Sequence, residues 1–148
     1  MILLKQKQRT INVNIHNIKA DIQKLLHILG YDDFNIGIWL TTNRTIRKYN
    51  NLYRKKDRPT DILSFPYHQN ISAGKTIKPK RDEDKNLGDI LISLEYAQKD
   101  AQRLNIPFEQ HLRHLIVHGM CHLLGYDHHT ETGYRKMRKK ERSLLKQL

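Results

Sequence analysis

A histidine-rich segment in the C-terminal half of the chain contains the side chains whose spacing most directly indicates a chemistry. Six of the nine histidines lie between residues 111 and 129, and three of them, His114, His118 and His122, recur at every fourth position. On a helix these residues lie along one face, with neighbouring Cβ atoms about 5–6 Å apart. Two imidazoles one turn apart can bind the same zinc ion. The spacing therefore predicts a metal site on a helix.

A glycine after this helix favours one set of three ligands. The run HGMCHLLGYDH, residues 118–128, has the form His-x3-His-x5-His, and Gly125 lies where the chain must leave the helix. A glycine readily adopts the left-handed conformation with which helices commonly end. His118 and His122 lie nearest this turn, and His128 follows it. We therefore expect these three histidines to bind one zinc ion.

Spacing alone leaves other arrangements open. His114 can replace His122 as the partner of His118, and His129 is an alternative third ligand. His114 is otherwise an additional acid or base, or an ordinary histidine on a helix surface, and Asp127 either orients a ligand or forms the turn. Three imidazoles without a thiolate leave a fourth coordination position free, which is typical of catalytic rather than structural zinc sites.

The same run matches the zinc-peptidase pattern H-E-x-x-H-x-x-G-x-x-H at every defined position except one. In that pattern the glutamate after the first histidine is the general base of peptide hydrolysis. This chain has Gly119 at the corresponding position. A metallopeptidase-like zinc hydrolase is therefore an alternative function that Gly119 opposes.

Length and composition exclude several classes of protein. The chain has 148 residues, which is one domain's worth, and no run of about 20 apolar residues that could span a membrane. Its single cysteine, Cys121, excludes a disulfide-stapled module. No apolar segment typical of a signal peptide is present, so we expect a cytoplasmic protein. The net charge of +12 and mean hydropathy of −0.73 favour a polyanionic partner, most commonly nucleic acid.

Alternating hydrophobic periods of two and of three to four residues predict an α+β fold for a single domain spanning residues 1–148. We expect a roughly four-stranded mixed sheet covered by about five helices. The predicted strands are residues 10–15, 35–40, 61–65 and 88–92. The predicted helices are residues 18–29, 42–53, 93–104, 107–124 and 130–148, with Asn17, Thr42 and Ser93 as N-caps and Gly30 as a C-terminal stop. Residues 54–60 and 68–86 are predicted loops, the second of them long and mobile.

Three segments of the chain together resemble a known family. HGMCHLLGYDH, residues 118–128, closely resembles the signature of the YbeY endoribonucleases, which are metal-dependent bacterial enzymes of ribosomal RNA maturation. LYRKKDRPTDILSFP, residues 52–66, and LGDILIS, residues 87–93, are similar to the second and third conserved blocks of that family. The blocks occur in the family order, and the resemblance covers roughly the last two-thirds of the chain.

The resemblance implies a ligand set, a catalytic residue and a biological role. By position, His118, His122 and His128 would bind one Zn²⁺ ion, and Arg54 falls on the functionally important arginine of the family. The implied activity is a single-strand-specific endoribonuclease acting in 16S rRNA 3′-end maturation and ribosome quality control. The implied partners are single-stranded RNA and the small ribosomal subunit in the cytoplasm, with no membrane and no DNA. A non-catalytic ribosome-assembly factor with a structural metal is a further alternative.

Two basic clusters offer surfaces for RNA. Seven basic residues and one acidic residue lie among residues 44–58, around Arg54, and a guanidinium suits the negative charge that phosphodiester cleavage develops. Seven basic and two acidic residues lie among residues 131–146, where a solvated helix face is an equal alternative. Tyr53 and Tyr67 can stack on bases, although tyrosines beside apolar runs more often form the edge of a core.

Overall fold

The computed structural model describes residues 1–148 and confirms an α+β domain with a four-stranded mixed sheet and five helices. In chain order the elements are β1 (Ile2–Gln6), α1 (Ile15–Leu29), β2 (Asn35–Thr41), α2 (Asn43–Arg54), β3 (Ile62–Pro66), β4 (Asn86–Ser93), α3 (Leu94–Leu104), α4 (Phe108–Leu123) and α5 (Glu131–Gln147). A short 3-10 turn, Asp82–Asp84, precedes β4. The histidine-rich segment forms α4 and the turn after it, as predicted.

The sheet has the strand order β1-β2-β4-β3. The first three strands of this order run parallel, and β3 pairs antiparallel with β4 at the edge. Pro66 is the last residue of β3, one residue beyond the end of the predicted strand, and it lies opposite Gly88. Proline is tolerated there because an edge strand has a side without a hydrogen-bonding neighbour.

The strand predicted at residues 10–15 is wrong. The first strand is β1, where Ile2 lies opposite Ile36 of β2. The amide and carbonyl groups of Ile11 instead bond to the side chain of buried Gln8, at 2.8 and 2.9 Å. These bonds replace those of a strand ladder. The cap of α1 also differs from the prediction, because Asn14 rather than Asn17 accepts the hydrogen bond at the helix start.

Helices cover both faces of the sheet, and the alternation of side chains in β3 and β4 separates the two faces. Ile90 and Ile92 belong to the main core, which includes the apolar residues of α1 and α4. Leu91, between them, packs instead with Leu63 of β3 and Ile46 of α2. Because side chains alternate along a strand, α2 and α4 lie on opposite faces of the sheet.

The predicted loop of residues 68–86 contains no strand or helix before the 3-10 turn. It nevertheless packs on the core. Ile77 is buried, and its amide donates to the hydroxyl of Tyr31 at 3.0 Å. None of the five helices combines the length and the apolar character that crossing a bilayer takes.

Candidate metal centre

The end of α4 positions the third histidine by a turn that requires glycine. Gly125 has a φ of +89°, in the left-handed region. A Cβ at this position would also collide with the carbonyl oxygen of Ile71. The amide of Tyr126 then donates to the carbonyl of Cys121 at 3.1 Å, which closes the helix end. The chain therefore reverses at Gly125 and carries His128 back towards α4.

Three histidines converge beyond this turn. His118 and His122 lie one turn apart on α4, and each has one ring nitrogen within 4.8 Å of a ring nitrogen of His128. The Nε2 atoms of His118 and His122 are 3.0 Å apart. His114 and His129 lie outside this group, although the ring of His129 is 5.8 Å from that of His128. The structure therefore brings together the three histidines that the glycine favoured.

The other ring nitrogens of the two helical histidines already have partners. The Nδ1 atom of His118 lies 3.0 Å from a carboxylate oxygen of Glu141, and that of His122 lies 3.0 Å from the carbonyl oxygen of Tyr126. Because these oxygens act as acceptors, each Nδ1 carries the hydrogen, which leaves Nε2 as the atom whose lone pair can bind a metal. Two lone pairs at 3.0 Å repel unless a proton or a cation lies between them. The arrangement therefore fits a metal ion.

The protonation state of His122 also fits a ligand. Burial, together with the neighbouring rings of His118 and His128, lowers the pKa of His122 to about 4. The ring is therefore neutral at pH 7, and metal binding requires a neutral imidazole. His128 is exposed, so the group is open to solvent on one side.

Glu141 is the residue of this site that the sequence analysis missed. It lies on α5, with only 17% of its side chain exposed, and contacts His118 across 23 residues of chain. The available signal was its position between Met137 and Leu144, which are both buried on the inward face of α5. A carboxylate on an otherwise apolar helix face needs a polar partner. Asp127, by contrast, accepts from the amide of His129 at 3.3 Å and forms the turn.

Comparison with known proteins identifies the family. A family model described as Endoribonuclease YbeY matches residues 3–148. The chain belongs to the YbeY endoribonuclease family. This result confirms the resemblance of the three sequence segments and extends it to nearly the whole chain.

Individual relatives with the name Endoribonuclease YbeY align over most of their length. One from Homo sapiens is 35% identical over 147 residues, which are 99% of this chain and 87% of the relative. One from Clostridioides difficile is 36% identical over 151 residues, covering 99% and 95%. One from Persephonella marina is 40% identical over 111 residues, covering 75% and 67%. A solution structure of a Thermotoga maritima protein has the same fold, with a TM-score of 0.62 at 22% identity over 99% of this chain and 90% of that one.

Packing explains why this YbeY family member has glycine where zinc peptidases have glutamate. Gly119 is buried against the sheet, and a Cβ there would lie 2.9 Å from Cδ1 of Ile62 and 3.0 Å from Cδ1 of Ile90. A side chain at this position points into the core rather than towards the histidines. At the position of the peptidase general base, Gly119 therefore allows α4 to pack closely on the sheet.

Cys121 belongs to the core rather than to the site. Its side chain is fully buried, and burial raises the pKa of its thiol to about 12. Metal binding and oxidation need the thiolate, which is scarce at neutral pH when the pKa is this high. The position of Cys121 therefore indicates a packing role.

Arg54 belongs to a different helix layer from the histidines. It is the last residue of α2, it is exposed, and α2 covers the face of the sheet opposite α4. No hydrogen bond or ion pair joins its guanidinium to another side chain, whereas nearby Arg47 is paired with Asp57 at 2.8 Å. The structure therefore does not bring Arg54 and the triad into direct contact. Its guanidinium is free to bind a ligand.

The two tyrosines predicted either to stack on bases or to form the edge of a core have neighbours within the protein. The ring of Tyr53 is 5.1 Å from that of Phe65 and 6.1 Å from that of Tyr49. The hydroxyl of Tyr67 donates to Asp84 at 3.0 Å. Tyr53 thus forms the edge of the smaller apolar cluster under α2.

Proposed function

We propose that this chain is a zinc-dependent endoribonuclease that cleaves single-stranded RNA, with one zinc ion bound by His118, His122 and His128. Membership of the YbeY family supports the reaction class. The observation that carries the metal assignment is the 3.0 Å separation of the Nε2 atoms of His118 and His122, whose Nδ1 atoms are already engaged.

The chemistry of the residues suits phosphodiester cleavage. A zinc ion bound here supplies a Lewis acid that stabilises negative charge on a phosphoryl oxygen. Glu141 and the carbonyl of Tyr126 hold the rings of His118 and His122 with their Nε2 atoms inward. Arg54 remains our catalytic candidate, since a guanidinium stays protonated and can donate two parallel hydrogen bonds to a phosphate.

The position of Arg54 adds a requirement to this proposal. Because α2 and α4 lie on opposite faces of the sheet, one substrate reaches both Arg54 and the triad only if it passes around an edge of the sheet or the ends of its strands. A flexible single strand can follow such a path more easily than a stiff duplex. This requirement agrees with the proposed preference for single-stranded RNA.

We also propose the biological role that family membership suggests. The substrate would be 16S rRNA near its 3′ end, and the protein would act in ribosome quality control with the small ribosomal subunit in the cytoplasm. The net charge of +12 supports an RNA partner. No membrane or DNA partner forms part of this proposal.

Metal content and RNA cleavage, measured on the same preparations, test the proposal. We expect one zinc per chain in the unaltered protein and cleavage of single-stranded but not double-stranded RNA. His122→Ala should lose both the zinc and the cleavage. His114→Ala is the matched control, because His114 lies one turn before His118 on α4 but outside the triad, and it should retain both.

Two results would contradict this assignment. Loss of zinc in His114→Ala with retention in His122→Ala would show that the other helical pair binds the metal. Unchanged cleavage in a zinc-free His118→Ala protein would show that the metal takes no part in the reaction. If His118→Ala instead abolishes cleavage and leaves RNA binding intact, the alternative of a non-catalytic assembly factor is excluded.

A further inference from the structure

The outward face of α5 is strongly basic. Five cations share this face, each with another of them three or four residues away, and together they line a groove of 680 Å³: Arg135, Arg138, Lys139, Arg142 and Lys146. From the first to the last of these residues, α5 rises by about 16 Å at 1.5 Å per residue. We call these five residues the α5 stripe.

The charges of the α5 stripe are mostly unpaired within the protein. Arg135 bonds to Glu131 at 2.7 Å, but no ion pair involves the other four cations. The second acidic residue of α5, Glu141, faces His118 instead. Like charges three or four residues apart destabilise a helix. A face that only solubilised the helix would alternate charges, so this arrangement indicates an anionic partner.

The α5 stripe begins beside the histidine triad. A smaller cavity of 130 Å³ is lined by both Arg138 and Tyr134 together with His118, His128 and Glu141. Arg138 and Tyr134 also line the large groove. An extended polyanion lying on the stripe therefore leads directly to the triad.

The neighbouring side chains favour RNA over a membrane surface. Of the aliphatic and methionine side chains of α5, Met137 and Leu144 are buried in the core and Leu145 packs against it, so none is available for insertion into lipid. Tyr134 is 51% exposed, and the guanidinium of Arg138 lies 5.9 Å from its ring centroid. An exposed aromatic ring among cations is typical of surfaces that bind single-stranded nucleic acid, because bases stack on the ring while cations contact phosphates.

We propose that the α5 stripe binds the phosphates of single-stranded RNA on one side of the cleavage position, with Arg138 at its junction with the triad. This proposal rests on the proposed function, because it assigns a binding track to the substrate of that site. In this arrangement Arg142 and Lys146 contact nucleotides far from the reacting bond. They contribute to substrate binding and not to the chemical step.

The test removes the two outermost cations without adding a negative charge. Arg142→Gln/Lys146→Gln should preserve folding, because both side chains are exposed and glutamine is a good helix former. The matched control is Lys19→Gln/Lys24→Gln, which makes the same change in net charge on exposed positions of α1. Binding to a fluorescently labelled single-stranded RNA of about 16 nucleotides is measured by anisotropy over a series of salt concentrations.

We expect the α5 variant to bind RNA more weakly and with a weaker dependence on salt. Each phosphate contact to a single strand contributes about 0.7 to the slope of log K against log salt, so losing two contacts should make the slope shallower by about 1.4. The control should keep the slope of the unaltered protein. The zinc-loaded α5 variant should cleave single-stranded RNA with a raised KM and an unchanged kcat.

The outcomes separate this proposal from the proposed function. Equal weakening in the α5 variant and the control overturns the α5 track, even if the unaltered protein cleaves RNA. A second result would also overturn the α5 track. If the α5 variant binds RNA as before but no longer binds vesicles containing phosphatidylserine, the stripe is assigned to a membrane. Selective weakening in the α5 variant supports the track, even if the unaltered protein shows no cleavage and the proposed function fails.

Discussion

Replacing Glu141 by glutamine tests whether this carboxylate holds the His118 ring in position for a metal. The two groups are 3.0 Å apart, with 17% of the Glu141 side chain and 29% of the His118 side chain exposed. Glutamine has nearly the same shape and still offers an oxygen acceptor, but it has no charge. A hydrogen bond to a carboxylate is roughly twice as strong as a neutral one. The variant therefore weakens the contact without emptying the space.

The expected effect is on zinc affinity. Loss of a partner that orients a metal ligand typically lowers affinity by about 10- to 100-fold. We expect Glu141→Gln to lower the zinc affinity by about 10-fold, which corresponds to about 1.4 kcal/mol of binding free energy. Glu141→Ala should lie near the upper end, about 2.7 kcal/mol, because it leaves the Nδ1–H of His118 without a protein acceptor.

Competition with a chromophoric zinc chelator at neutral pH measures this affinity without any RNA. Glu131→Gln is the matched control, because it makes the same change of charge on α5 at a residue that is 79% exposed and bonded to Arg135 instead. The control should bind zinc like the unaltered protein. If both variants lose affinity equally, the effect comes from overall charge. If neither loses affinity, Glu141 does not orient a metal ligand, and our interpretation of the site is wrong.

Three further predictions concern the turn, the arginine and the thiol. Gly125→Ala should lower the free energy of unfolding in urea by at least about 1–2 kcal/mol, because the residue has a φ of +89° and alanine disfavours that region; an unchanged midpoint would contradict this. Arg54→Ala should reduce kcat for RNA cleavage by about 100-fold and leave the zinc content unchanged. Lys48→Ala, on the same helix, should change neither quantity. An equal loss of kcat in the two variants would show that Arg54 has no specific role in the reaction. Native Cys121 should not react with a thiol reagent at neutral pH and should react after unfolding, because burial raises its pKa to about 12; rapid reaction of the folded protein would show that the site is accessible.

Local signals predicted most of the helices and their ends. Thr42 and Ser93 cap α2 and α3 through their side-chain oxygens, and Gly30 ends α1 in the left-handed conformation. These signals are reliable because caps involve residues only a few positions apart. The triad follows from the same kind of information, since its members are all within 11 residues of one another.

A side chain that competes for backbone hydrogen bonds caused the main error in the predicted fold. The alternation of Ile11, Val13 and Ile15 is that of a strand, and all three residues do pack against the core. They nevertheless form no strand, because the side chain of Gln8 takes the backbone groups of Ile11. The period of the hydrophobic residues indicates which side chains face a core. It does not indicate which hydrogen-bonding partner is available to the backbone.

The sequence by itself determined the two histidines one helical turn apart, the turn at Gly125 and the third histidine after it. These features depend on helix periodicity and on the backbone freedom of glycine, which are local properties. Only the tertiary structure decided that Glu141 meets His118, that α2 packs on the opposite face of the sheet from α4, and that the α5 stripe meets the triad. The reason is that such contacts are set by how α2, α4 and α5 pack on a shared sheet, and no spacing within one segment encodes that packing.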